Sequence, residues 1–183
     1  MSEDLILVNE LNRAIGRADK GVVHAEGLLH RAFSIFLVDE KGRVLLQRRS
    51  AKKYHSAGLW ANSCCGHPQP GESTLQGARR RLGEELGAAV SLRHGFRARY
   101  CTVLPNGLTE NELVYVFFGA APENFALNPA EVSEIGWITL PELLKDVERR
   151  PKRYAYWLRY YLKNHSPAIR RGVAAVLRSS VKR

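Results

Sequence analysis

The run "GHPQPGESTLQGARRRLGEELGA", residues 66–88, decides how this chain is read. Pro68, Pro70 and Gly71 forbid regular structure at its start. Further on, Leu75, Ala78, Leu82 and Leu86 recur at helical spacing. Ser73 or Thr74 can cap that helix, and Gly87 suits the position just past its end. The stretch therefore predicts a loop, a helix over 72–87 and a turn.

Upstream, "LWANSCCGH" (59–67) reads as extended chain. Side chains of a strand alternate between faces, so Ser63, Cys65 and His67 are expected on one face, with Asn62, Cys64 and Gly66 on the other. Further back, "AFSIFLVDEKGRVLLQRRS" (32–50) predicts a hairpin with its turn at Asp39–Gly42. Downstream, "ENELVYVFFGAA" (110–121) is apolar enough for a strand buried on both faces. "EVSEIGWITLPELLKDVE" gives a short strand and a Pro-initiated helix. The rest reads as two helices split at Ser166–Pro167. The fold class is α/β (α+β), a mixed sheet flanked by helices. Residues 1–165 are read as one domain and 166–183 as a basic helical extension of it.

The chain has 183 residues, 45% of them apolar, and a net charge of +10. That length is enough for one well-buried core. No apolar run approaches the roughly 18 residues of a membrane span, and the acidic start "MSEDLILVNE" is unlike a signal peptide. A cytoplasmic protein is the expectation. Three cysteines without a C-x-x-C argue against a disulfide framework or a zinc ribbon. The charge is local: residues 149–183 hold eleven Lys/Arg and no acid, leaving the first 148 residues at −1. Such a segment suits either a solvated helix or a polyanion partner. Cys64 and Cys101 read as small buried hydrophobes, whereas Cys65 shares a face with His67.

The spacing from Gly66 resembles the Nudix box, G-x5-E-x7-R-E-U-x-E-E-x-G-U, at Gly66, Glu72, Arg80, Leu82, Glu84, Glu85, Gly87 and Ala88. Arg81 departs from it, standing where the pattern has a glutamate. The lost carboxylate argues against multi-metal hydrolysis. With "HAEGLLHRAFS" (24–34), "RRSAKKYHSAGLWANSCCGHPQPGE" (48–72), "GLTENE" (107–112) and "YAYW" (154–157), most of residues 5–160 resembles the type 1 isopentenyl-diphosphate isomerases.

That resemblance implies a Nudix-type fold and interconversion of isopentenyl and dimethylallyl diphosphate through a tertiary carbocation. It implies Cys65 and Glu112 as the proton-handling pair, with Tyr100 as a positioning or relay group (simple strand packing is the other reading of Tyr100). His24, His30, His67, Glu110 and Glu112 are the implied ligands of a divalent metal, Mn²⁺, Zn²⁺ or Mg²⁺. Glu110 and Glu112 are two apart, so a strand sets both on one face, where they repel unless a cation or proton lies between them. Lys20, Arg49, Lys53 and Arg81 are implied for the diphosphate, with a second Mg²⁺ on Glu85. Trp157, and after it Trp60, are the aromatic faces for a carbocation; Trp137 is read as core, and His55, His94 and His165 as surface or core.

Two other readings stay open: a Nudix hydrolase of a nucleoside or other diphosphate, and a basic polyanion-binding module. The expected partner is a small-molecule diphosphate, with no nucleic acid, no integral membrane association and a monomeric state.

Overall fold

The computed structural model describes residues 4–180. The expected hairpin forms from β3 (His30–Val38) and β4 (Val44–Arg49), with Gly42 in the left-handed region (φ 75°) at its turn. Only Val38 and Val44 pair across it, because each strand then finds other partners. β3 runs parallel to β8 (Thr109–Ala120) along its whole length. β4 is flanked by β5 (Trp60–Asn62) and β9 (Val132–Ile138). β6 (Cys64–Gly66) pairs with β3, and β7 (Arg93–Val103) closes the edge beyond β8. Two N-terminal strands, β1 (Asp4–Val8) and β2 (Ala14–Asp19), complete the mixed sheet.

Alternation sorts the core into two layers. Phe33, Ile35 and Leu37 of β3, Leu45 of β4 and Cys64 of β6 cluster with Ala78, Leu82 and Leu86 of α2 (Thr74–Leu86). Ala32, Phe36 and Val38, Val44 and Leu46, and Val114, Val116 and Phe118 cluster under α3 (Leu140–Arg149) and α4 (Tyr156–Ser180). The result is a helix–sheet–helix stack. Ser73 caps α2 in a reciprocal box with Gln76, and Gly87 ends it at φ 63°. Gly77 lets the helix lie against the loop after β6: a Cβ there would come within 2.8 Å of the Pro68 backbone. Among the described residues no helix is long and apolar enough to cross a membrane.

The C-terminal segment is helical, with its break just ahead of the Ser166–Pro167 step where the sequence put it. The helical break falls at His165 (φ −130°, ψ 16°), and α4 resumes through Pro167. Beyond that kink Ile169, Val173 and Val176 are buried in the α4-side core. Gly172 packs on Phe118 so closely that a Cβ would meet the ring at 2.4 Å. Arg170, Arg171 and Arg178 are exposed on the outside of a core helix, so the described part of this segment is no peripheral appendage. Burial of three aliphatic side chains contributes about 5 kcal/mol in sum, comparable with the whole stability of an ordinary domain. A chain truncated after Ser166 is expected to lose its cooperative urea transition, measured by circular dichroism. A transition at an unchanged midpoint would refute this account of α4.

Candidate active site

The site lies where one end of the sheet meets α4. It is built from β3, β6, β7 and β8, from α1 (Lys20–Glu26) and from the loop between β4 and β5. Asp19 caps α1 and Gly27 stops it at φ 66°, packed on Thr109 of β8. This short helix presents His24 inward, fully buried.

The parallel register sets His30 directly beside Glu112, and the antiparallel β7–β8 register sets Tyr100 beside the same residue. His67 enters from the chain following β6. The rings of His24, His30 and His67 lie 4.9–5.7 Å apart. His24 and His30 direct their Nδ1 atoms at the backbone carbonyls of Lys20 and Leu28 (2.7 and 2.8 Å), which leaves each Nε2 free to turn inward. The Nε2 atoms of His30 and His67 face each other at 3.2 Å, and that of His24 is buried without a hydrogen-bond partner. Nitrogens held by a second-nitrogen hydrogen bond and converging on one point are what a divalent cation requires. One ligand atom from each of His24, His30, His67 and Glu112 lies within 4.8 Å of the others. Glu110 belongs to an adjoining group with His24 and His55, with the same 4.8 Å limit. The donor set fits a divalent metal.

Glu110 and Glu112 are both buried, and their acidities diverge. Burial and the neighbouring Glu112 push Glu110 well above the ordinary carboxylate range. Burial pushes Glu112 up too, but its hydrogen bonds with His30 and His67 outweigh that and hold it well below. Tyr100 donates to Glu112 Oε2 at 2.5 Å and reaches Glu110 Oε2 at 3.4 Å.

Cys65 lines the same cavity, on the α4 side of the sheet, while Cys64 is sealed beneath α2. The Cys65 thiol donates to Asn62 Oδ1 (3.2 Å) and accepts from Ser34 Oγ (3.4 Å), itself 3.0 Å from the Tyr161 hydroxyl. Burial pushes its pKa up to about 12 against the pull of Ser34, so the sulfur keeps its proton near neutrality. The expected alternation fails upstream of Cys64. Ser63 lies between β5 and β6 and joins β3 to β4, accepting from Leu37 N and donating to Leu45 O. That break brings Asn62, rather than Ser63, to the Cys65 sulfur.

Lys20, Arg49, Lys53 and Arg81 all line the cavity. Lys53 and Arg81 share Oε2 of Glu131 at 2.5 and 3.1 Å, a cavity residue that no sequence pattern marked. Arg49 stacks over Trp157 at 5.1 Å. Glu85 is buried against Arg81 of the cavity wall. Its Oε1 receives Arg81 at 2.5 Å and its Oε2 receives Gln47 at 3.0 Å, so Glu85 anchors the arginine. Trp60 is corrected outright. It stands on β5, beyond β4 from the cavity, with its ring near Gly136 in a separate groove alongside Trp137 and Tyr154. Trp157 remains, in the cavity wall.

The residue that sequence reasoning missed is His55. It is buried with Nε2 3.2 Å from Glu110 Oε1, and burial together with Arg49 drives its pKa down to about 2. A histidine in an irregular loop has no periodicity to reveal its direction.

The NUDIX domain family matches residues 28–160. Isopentenyl-diphosphate Delta-isomerase 2 of Aromatoleum aromaticum is 46% identical over 158 residues, covering 86% of this chain and 84% of that protein. The isopentenyl-diphosphate Delta-isomerase of Serratia proteamaculans is 43% identical over 164 residues, covering 90% and 92%. This chain belongs to the isopentenyl-diphosphate Delta-isomerase family of NUDIX proteins. For the fold alone, a crystal structure of a Deinococcus radiodurans protein superposes with a TM-score of 0.74 at 23% identity, covering 88% of this chain and 98% of that one.

Burial brings the His67 pKa down to about 4. An unfolded histidine titrates near 6.5, so between those values the unfolded chain binds the extra proton. Stability then rises with pH through that window. In metal-free protein, the His67 penalty is expected to appear as pH falls below about 6.5 and to level off below 4, reaching about 3 kcal/mol. Urea denaturation of wild type against His67→Gln across pH 4–7 isolates it, and a difference that stays flat with pH would contradict the burial argument.

Proposed function

We propose that this protein interconverts isopentenyl and dimethylallyl diphosphate, with Cys65 and Glu112 as the groups that give and take protons. The single observation that carries the reading is the make-up of the cavity: a protonated thiol, a tyrosine-linked carboxylate and a wall of four cations face the same space. The reaction adds a proton to the terminal alkene carbon and removes one from the methylene beside the resulting tertiary cation. It needs two proton-handling groups and no water to capture the cation. Lys20, Arg49, Lys53 and Arg81 would bind the diphosphate and fix which carbon faces Cys65. Trp157 would turn its ring toward the developing charge. Tyr100 would hold Glu112 through its hydroxyl.

His24, His30, His67, Glu110 and Glu112 would hold the divalent cation, Mn²⁺, Zn²⁺ or Mg²⁺. When bound, it supplies the positive charge that lets two buried carboxylates stand side by side and acidifies a proton on Glu112. A diphosphate-borne Mg²⁺ anchored on Glu85 stays within the reading, on the condition that Arg81 turns from Glu85 to the phosphates. The rival hydrolase reading is weakened at the same place. Glu72 and Glu84 are held by Arg80, and Glu85 by Arg81, so the acids of the box serve arginines.

Proton NMR of isopentenyl diphosphate in D₂O with the metal-loaded protein is expected to show dimethylallyl diphosphate with deuterium in a methyl group. Cys65→Ala should abolish it. Phosphate released from nucleotides, with no deuterated product, would establish the hydrolase instead. Removing a general acid or base costs about 10²–10⁴-fold in rate. Glu112→Gln is accordingly expected to fall by at least the lower figure while inorganic pyrophosphate still binds by calorimetry, and turnover within a few-fold of wild type would exclude Glu112 from the proton path.

A further inference from the structure

We propose that His55 is a positioning residue for Glu110, fixing that carboxylate for the cation from the same loop that carries Lys53. The two carboxylates of β8 are unequally served. Glu112 has His30, His67 and a short Tyr100 bond. Glu110, only 3% exposed, has the long Tyr100 contact at 3.4 Å and His55 Nε2 at 3.2 Å. A buried carboxylate so served is sensitive to the nitrogen set nearest to it, here His55 Nε2. Once a cation holds Glu110 ionised, His55 Nε2 at 3.2 Å is placed to donate to it in the tautomer whose Nδ1 accepts from Ser56 Oγ, 3.3 Å away.

The imidazole is itself held on several sides. Its ring stands edge-on to Tyr54 (4.4 Å, 89°) and to Trp157 (5.9 Å, 85°). Its carbonyl receives Arg49 Nη2 at 3.2 Å, which ties the loop back to β4. One ligand atom from each of His24, His55 and Glu110 falls within 4.8 Å of the others, and the His24 atom that has no partner, Nε2, is the one available to a cation. Glu110 therefore sits between the held imidazole of His55 on one side and the unpartnered Nε2 of His24 on the other. Outer donors of this kind set the orientation of a ligand carboxylate.

The inference rests on the metal reading of this site, and metal affinity tests it without turnover. Mn²⁺ would be titrated into metal-stripped protein and followed by electron paramagnetic resonance. His55→Phe keeps a ring against Tyr54 and Trp157 but loses the donor. It is expected to weaken Mn²⁺ binding about ten- to a hundredfold, the usual cost of an outer-shell partner. His55→Gln restores an N–H near the position of Nε2 and should stay within about threefold of wild type, on the same scale. In a Glu110→Gln background, His55→Phe should add almost nothing, because the group it orients is gone. Wild-type affinity in His55→Phe, or a fall in His55→Gln as deep as in His55→Phe, would overturn the proposal. Should the phenylalanine variant not fold, ¹⁵N-histidine NMR of Zn²⁺-loaded wild type decides: a protonated Nε2 on His55 supports the proposal, and a deprotonated one refutes it. Wild type that binds neither ion would remove the metal reading itself, an outcome distinct from equal binding by wild type and variant.

Discussion

Two carboxylates buried side by side on one strand cannot both be charged without a cation or a proton between them. Glu110 and Glu112 of β8 impose that constraint, and much of the surrounding structure answers it. Three imidazoles converge from α1, β3 and the chain after β6, and a tyrosine hydroxyl reaches across from β7. Their mutual repulsion is met by asymmetry: burial and Glu112 drive Glu110 toward its neutral form, while His30 and His67 hold Glu112 well below the ordinary carboxylate range. Burying these groups is costly on its own, so their arrangement is better understood as the requirement of a cation than as a source of stability.

The same economy organises the other end of the cavity. Lys53 and Arg81 repel one another and are reconciled by Glu131, which both contact. Arg81 is further fixed by Glu85, which Gln47 of β4 orients from below. The glutamate-to-arginine departure in the box thus has a structural counterpart: a helix of the NUDIX type that presents acids has become one whose acids hold arginines. An anionic ligand would meet a basic wall already neutralised in part, and would have to compete with Glu131 for it.

Long periodic elements and fixed spacings were legible in the sequence. The box predicted α2 almost to the residue, since the Ser73 cap and Gly87 stop are local chemistry. The spacing of Glu110 and Glu112 put both on one face, and alternation joined Cys65 to His67. What stayed hidden depended on tertiary placement. Alternation cannot foresee that Ser63 interrupts the strand and swings Asn62 to the sulfur. Nothing local says which way a tryptophan's ring turns, so Trp60 stayed a candidate behind Trp157 until β4 was seen to stand between it and the cavity. The charge run after residue 148 concealed the apolar spacing of Ile169, Val173 and Val176. His55 lay in a loop, where direction follows from packing alone.

The pairing of β3 with β8 carries a last consequence. His30 meets Glu112 because the strands run parallel in one register along all of β3. A slip of a single residue would turn Glu112 toward the α2 layer and offer His30 an asparagine or a leucine, Asn111 or Leu113. Parallel strands this far apart in sequence pair late and can mispair. A cation bound by this ligand set would be held only in chains whose strands have settled correctly, and so would act as a proofreader of the sheet. Metal retained through purification would then be a count of properly assembled molecules, a quality that helix content alone would not reveal.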